Sequence, residues 1–154
     1  MTDLTDALDE AGVAYQLLSH AHTERAADEA DALGLHPAVV AKTLVLTAPE
    51  GHVRVVLPAS ERIDLRKVRD YVEGGKGVGL ATEEQLARDY PEFELGAVPP
   101  FGGGSHDRVL VDSRVAERPS IVLEAGSHER SVRLETAALL RLTAAEIVDV
   151  CTEE

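Results

Sequence analysis

The chain has 154 residues, 44% of them hydrophobic, and sets 28 acidic against 15 basic side chains for a formal net charge of −13. That length fits one domain with a sizeable core, and no run approaches the roughly 18 consecutive apolar residues of a membrane span. The acidity speaks against general affinity for a phosphate backbone, and a content of 3 tyrosines, 2 phenylalanines and no tryptophan speaks against a base-stacking platform. Cys151 has no second cysteine to pair with, so a reducing cytoplasm is the expected setting. The acidic N-terminus lacks the basic-then-apolar layout of a signal peptide.

In chain order, Leu4, Ala7, Leu8 and Ala11 recur at helical spacing and Gly12 follows as a stop, which predicts a helix over 3–11. Residues 13–18 read as a strand. Thr23 is placed to cap a helix carrying Ala26, Ala27, Ala30 and Leu33 on one stripe, with Gly34 at its end. His36 and Pro37 then turn the chain into the segment around which the rest is arranged. There, β-rich runs over 41–48 and 53–58 flank Pro49-Glu-Gly-His52, a predicted hairpin with a four-residue turn.

Ser60 or Asp64 is expected to cap a short helix holding Leu65, Val68 and Tyr71. A short strand is expected at 78–80 among glycines, and Thr82 with Gln85 forms a capping box for a helix ended by Pro91. Residues 93–107 are the least regular stretch. Strands are predicted at 109–112, 120–124 and 131–134, with a turn through Gly126. Thr143 with Glu146 reads as a second capping box, opening a C-terminal helix whose Ile147 and Val150 face inward. Strands and helices mix without a βαβ rhythm, so the expected fold is one α+β domain over 1–154, with a mixed, curved sheet and flanking helices.

Lys42 opens the otherwise apolar run Leu44, Val45, Leu46. An ammonium there can bind a phosphate or carboxylate, or polarise an ester carbonyl; a lysine snorkelling from a strand end is the plainer alternative. His20, Thr23, the Gly/Pro-rich loop and Gly126-Ser-His128 also fall at ends of predicted elements, where functional groups gather. His20, His22, His106 and His128 form no close metal motif, and the glycines near Gly102 follow no nucleotide-loop pattern, so no metal or cofactor is expected. Arg62, Arg66, Lys67 and Arg69 are interleaved with Glu61, Asp64, Asp70 and Glu73, which reads as a solvated, salt-bridged face.

Three stretches then stand in a telling order: Val13-Ala-Tyr-Gln-Leu-Leu-Ser-His20 with Thr23 and Ala41-Lys-Thr-Leu-Val-Leu46, Gly96-Ala-Val-Pro-Pro100-Phe-Gly102, and Ala125-Gly-Ser-His-Glu-Arg-Ser-Val-Arg-Leu134. Together, over residues 12–142, they resemble the YbaK/EbsC family of prolyl-tRNA-synthetase-associated editing domains. The resemblance implies a trans-acting aminoacyl-tRNA deacylase that hydrolyses the ester of mischarged tRNA, the tRNA-Pro class first. It implies Lys42 as the key residue, positioning the substrate, and Gly96, Pro100, Phe101 and Gly102 as a pocket loop whose amides meet the oxyanion. It implies His20, Thr23, Gly126 and His128 as lining of the same cavity. Its partners would be the acceptor end of aminoacyl-tRNA and an aminoacyl-tRNA synthetase, with neither DNA nor membrane. A second class stays open, a non-catalytic pocket module for a nucleotide, amino acid or protein, favoured by the acidity and by Gly-Gly-Ser-His-Asp-Arg after Gly102.

Overall fold

The computed structural model describes residues 4–21, 26–49, 51–72, 77–95, 97–102 and 107–152; His22, Thr23, Glu73, Gly96 and His106 lie outside the described residues. The predicted first helix is α1 (Leu4–Ala11), ended by Gly12 at φ 68°, a left-handed backbone that glycine adopts without penalty. Strand β1 (Tyr15–Ser19) and helix α2 (Ala26–Leu33) follow. A 3-10 turn (Pro37–Val39), its first turn capped by the His36 imidazole accepting from the Ala38 N–H, leads into the hairpin.

Strands β2 (Ala41–Ala48) and β3 (Gly51–Pro58) pair antiparallel in unbroken register from Ala41↔Pro58 to Ala48↔Gly51. The turn is shorter than predicted because Gly51 and His52 join β3. One-turn helix α3 (Leu65–Val68) is capped by Asp64, whose carboxylate accepts from the Arg66 N–H; Tyr71 lies beyond its end. After β4 (Gly79–Leu80), helix α4 (Glu83–Asp89) opens on the predicted box: Thr82 Oγ1 accepts from the Gln85 N–H at 3.1 Å, and Gln85 Oε1 from the Thr82 N–H at 2.9 Å.

The last third is β5 (Arg108–Asp112), α5 (Ser113–Ala116), β6 (Ser120–Ser127), β7 (Arg130–Glu135), α6 (Thr136–Thr143) and β8 (Glu146–Val148). Here some expectations fail. Gly126 does not make the turn: it sits inside β6 at φ 96°, within a register break between Glu124 and Ser127, and the turn falls on residues 128 and 129. Thr143 closes a helix instead of opening one. Its hydroxyl donates to the Leu139 carbonyl at 2.8 Å, Ala144 ends α6 at φ 50°, and Glu146–Val148 runs as a strand parallel to β5. Ile147 is accordingly 57% exposed, whereas Val150 is fully buried as expected.

The strands form two sheets, in the orders β1-β7-β6 and β4-β2-β3-β5-β8. The larger is mixed: β3 is antiparallel to β2 and parallel to β5. A parallel bridge between Val40 and Val122 ties the two sheets together, so the α+β architecture with a mixed sheet is as expected, but the strands divide between two sheets instead of one. Strand β3 is nearly continuous in apolar residues because both of its faces are covered. Val53, Val55 and Leu57 face a cluster with Leu46, Val68, Val150 and Cys151. Val56 faces the opposite cluster with Leu8, Leu123, Val132 and Leu139. Each fully buried side chain of this kind contributes about 1.5–3 kcal/mol. Within residues 53–58 the exception is Arg54, only 1% exposed.

Candidate functional site

Lys42 lies two residues past the Val40–Val122 bridge, where β2 parts from β6, and β4 does not join β2 until Leu46. Between these points β2 has no strand partner on that edge among the described residues. Side chains alternate between faces along a strand and directly paired residues share a face, so Lys42 stands with its partner Leu57 on the side of Leu44, Leu46 and Cys151. It is half-buried, and no hydrogen bond or ion pair to its ammonium occurs among the described residues. Burial lowers its pKa below the ordinary lysine value; Cys151 and Glu61 oppose this, and Arg62 adds to it. Cys151 opposes it only as a thiolate, and burial pushes that thiol up to about 12, with Asp112 adding to the rise. At neutral pH, therefore, Glu61 is the anion that acts on Lys42. The result is a desolvated cation without a fixed partner.

The Gly/Pro loop is held from the other face of the hairpin. Arg54 pairs with Val45, three positions along β2 from Lys42, and so projects to the opposite side. Its Nε donates to Asp107 Oδ2 at 2.8 Å, Nη1 to the Pro99 carbonyl at 2.9 Å and Nη2 to the Gly102 carbonyl at 3.0 Å. The guanidinium lies 4.9 Å from the centre of the Tyr90 ring, and the Tyr90 hydroxyl donates to the same Asp107 oxygen at 2.5 Å. Gly102 takes φ 90°, a conformation reserved in practice for glycine. Pro100 is buried and Phe101 packs against the main core.

The loop's leading edge meets the β6–β7 turn. The Glu94 N–H donates to the Gly126 carbonyl at 2.9 Å, and Glu94 Oε2 accepts from the His128 N–H at 2.9 Å. His128 Nε2 lies 2.5 Å from the Leu95 carbonyl, and Nδ1 lies 3.0 Å from Glu124 Oε2. On the other side of the turn, the His20 N–H donates to the Glu129 carbonyl at 3.0 Å, extending the β1–β7 ladder. The His20 ring reaches Ser131, 2.9 Å from Nε2 to Oγ, and the Ser131 hydroxyl donates to Glu29.

His20, Gly126, His128, Pro100, Phe101 and Gly102 are thus connected through one turn and one loop, while Lys42 projects from the other face of β2. Thr23 and Gly96 fall outside the described residues. No grouping of histidine, cysteine and carboxylate side chains fit to hold a metal occurs among the described residues. The predicted salt-bridged face holds in part: Lys67 pairs with Asp149 at 3.3 Å and Arg66 with Asp64 at 4.0 Å, but Arg69 donates to the Val78 carbonyl. A groove of about 500 Å³ is lined by Pro58, Ser60, Glu61, Arg114 and Arg118, and Glu61 is also the carboxylate that acts on Lys42.

Three residues that organise this region escape the sequence reading: Arg54, Glu29 and Ser131. An arginine inside Val53-Arg-Val-Val-Leu57 was the available signal for the first. Glu29 looks like any polar residue of a short helix.

The aminoacyl-tRNA editing domain model matches residues 20–142, which include every predicted site residue. The chain is 30% identical over 99 residues to the multifunctional Ser/Thr-tRNA deacylase ProXp-y of Escherichia coli K12, covering 64% of this chain and 58% of that protein. It therefore spans less than two thirds of that relative's length. It is 25% identical over 126 residues to EbsC of Enterococcus faecalis, a proposed Cys-tRNA(Pro)/Cys-tRNA(Cys) deacylase, covering 81% of this chain and 76% of that one. A solved structure of a proposed trans-editing enzyme for prolyl-tRNA synthetase superimposes with a TM-score of 0.87 at 25% identity, covering 97% of this chain and 94% of that one.

Proposed function

The chain belongs to the aminoacyl-tRNA editing domain family, and from that premise we propose that it is a cytoplasmic, trans-acting deacylase that hydrolyses the ester of mischarged tRNA. The observation that carries this reading is the span of the family match, from His20 to the end of α6, which takes in Lys42, the Gly/Pro loop and the β6–β7 turn. The relatives named as tRNA deacylases support it. The likeness to a proposed trans-editing enzyme for prolyl-tRNA synthetase favours the tRNA-Pro class and a synthetase as companion.

An aminoacyl ester is already activated, so catalysis needs a positioned water and stabilisation of the developing oxyanion more than a protein nucleophile. The loop ending at Gly102 suits the oxyanion role because Arg54 fixes its backbone beforehand, which removes reorganisation from the reaction step. Lys42 projects from the other face of β2, so we assign its ammonium to the terminal phosphate of the tRNA and not to the ester carbonyl. An unpaired, partly desolvated ammonium gains most from such an anion. The pocket's discrimination between amino acids is limited to about 1–3 kcal/mol per methylene.

The test is deacylation of Ala-, Cys-, Ser-, Thr- and Pro-tRNA by the wild-type chain and by Lys42→Ala. Wild type is expected to hydrolyse at least one mischarged species, and Lys42→Ala to do so about a hundredfold more slowly. A folded wild-type chain with no turnover across the panel would transfer the assignment to a non-catalytic pocket module.

A further inference from the structure

Behind His20 the chain of contacts runs inward to a fully buried carboxyl. His20 Nδ1 lies 2.7 Å from the Ala21 carbonyl and Nε2 lies 2.9 Å from Ser131 Oγ. Ser131 is fully buried, and its Oγ is hydrogen-bonded to Oε2 of Glu29, also fully buried. The other Glu29 oxygen, Oε1, is buried without a hydrogen-bond partner among the described residues.

Counting protons restricts the states of this chain. A carbonyl only accepts, so Nδ1 carries a hydrogen toward Ala21. If Nε2 is bare and Glu29 ionised, the single Ser131 hydrogen serves one neighbour and leaves two lone pairs opposed at the other contact. If Nε2 and Glu29 are both protonated, two donors point at Ser131 Oγ and the hydroxyl hydrogen has no acceptor. A second proton would have to sit on Oε1, which has no acceptor among the described residues; with Oε1 bare, both contacts are satisfied together only when one proton is shared between the two ends.

We infer that His20, Ser131 and Glu29 form a one-proton relay, through which a buried carboxyl sets whether His20 presents a neutral imidazole or an imidazolium to an anionic ligand. In the transfer, the Glu29 Oε2–H bond breaks as its proton bonds to Ser131 Oγ, and the Ser131 hydrogen passes to His20 Nε2. A neutral acid and a neutral imidazole become a carboxylate and an imidazolium, with no change in net charge and no proton drawn from solvent. Glu29 and Ser131 are positioning residues in this scheme.

The energetics are compatible with it. Burial raises the Glu29 carboxyl to about 7, opposed by the Ser131 hydrogen bond, so its two protonation states lie close in free energy near neutral pH. The other charged and titratable groups on the surrounding described elements and turns are Tyr15, Asp28, Asp31, His36, Glu124, Glu129, Arg130, Arg133 and Glu135. None contributes to that shift, which has burial and Ser131 as its causes. Oε1, unpartnered among the described residues, adds a desolvation cost to the ionised carboxyl.

The inference does not depend on the deacylase reading, which places the tRNA terminal phosphate at Lys42 on the other face of β2, and its test needs no turnover. Ring-nitrogen NMR of His20 is recorded between about pH 6 and 8 for wild type and Glu29→Gln, with and without inorganic phosphate. In the variant the amide hydrogen of Gln goes to Ser131 and the Ser131 hydrogen to Nε2. His20 should then carry its hydrogen on Nδ1 and turn a bare Nε2 toward Ser131. In wild type the imidazolium fraction should rise when phosphate is added. Identical His20 signals in the two proteins, with and without phosphate, would overturn the relay. So would a wild-type neutral form carrying its hydrogen on Nε2, a measurement that stands even if the variant does not fold. Loss of deacylase activity alone bears on the deacylase proposal and leaves this result untouched.

Discussion

The two faces of the β2–β3 hairpin each hold one cation, and the protein treats the two in opposite ways. Arg54 is fully enclosed, with Asp107, two loop carbonyls and the Tyr90 ring arranged around its planar fork. Lys42 is half-buried and has no fixed partner among the described residues. The geometry of each side chain suits its place. A guanidinium satisfies several acceptors at fixed angles and so can organise a loop, whereas an ammonium is a mobile point charge. The polar contacts that hold a cation concentrate on the Arg54 side, and the cost of a charge unpaired among the described residues is carried on the Lys42 side. That cost is a reason to place ligand binding there.

The sharpest way to break this comparison is to remove the enclosed cation. Arg54→Met leaves Asp107 without its guanidinium and two carbonyls without donors, and loss of one member of a buried pair typically costs about 3–5 kcal/mol. Urea denaturation should show a destabilisation of that order, and Arg54→Lys should recover only part of it, because one ammonium cannot reproduce the fork. A loss under about 1 kcal/mol for Arg54→Met would mean the loop is held by other means.

A second, pH-dependent effect comes from Glu29. Burial raises its carboxyl from 4.5 to about 7 in the folded protein. The acid form is thus favoured by folding, so its contribution is fully present below 4.5 and is lost as pH rises through 7. By about pH 8 the loss approaches roughly 3 kcal/mol as an upper bound. Gln at this position cannot ionise. Glu29→Gln should match wild type near pH 4.5 and be the more stable protein at pH 8, as read from melting curves at each pH. A difference that stays flat with pH would show that the Glu29 carboxyl is not desolvated in the folded state.

Both residues also mark the limit of what the sequence discloses. The hairpin, the Asp64 cap, the Thr82–Gln85 box and the stops at Gly12 and Gly34 are legible because each signal and its consequence lie within a few residues. Arg54 finds its acceptors 45, 48 and 53 residues away, and Glu29 meets Ser131 after 102. No local pattern encodes such encounters. The C-terminal misreading has the same origin. Thr143 and Glu146 have capping-box spacing, but pairing of Glu146–Val148 with β5 overrides it, and the Thr143 hydroxyl turns back to Leu139. The positions of Lys42, the loop and the β6–β7 turn were legible through resemblance, whereas their distribution over two faces of the hairpin required the register.

The smallest effect tests the unsatisfied cation itself. Lys42→Ala removes an ammonium whose pKa is depressed chiefly by burial and which gives up no hydrogen bond or ion pair among the described residues. Its lost apolar stem and its relieved desolvation act in opposite directions. The net change in stability should therefore stay within about 1 kcal/mol of zero, and can be favourable. The same variant is expected to lose about a hundredfold in deacylation. This separation of stability from activity is the opposite of what Arg54→Met should show. Measured together by urea denaturation, the two variants decide whether the faces differ as described. A loss above about 2 kcal/mol for Lys42→Ala would make Lys42 a second structural cation and remove the physical ground for placing the tRNA phosphate beside it.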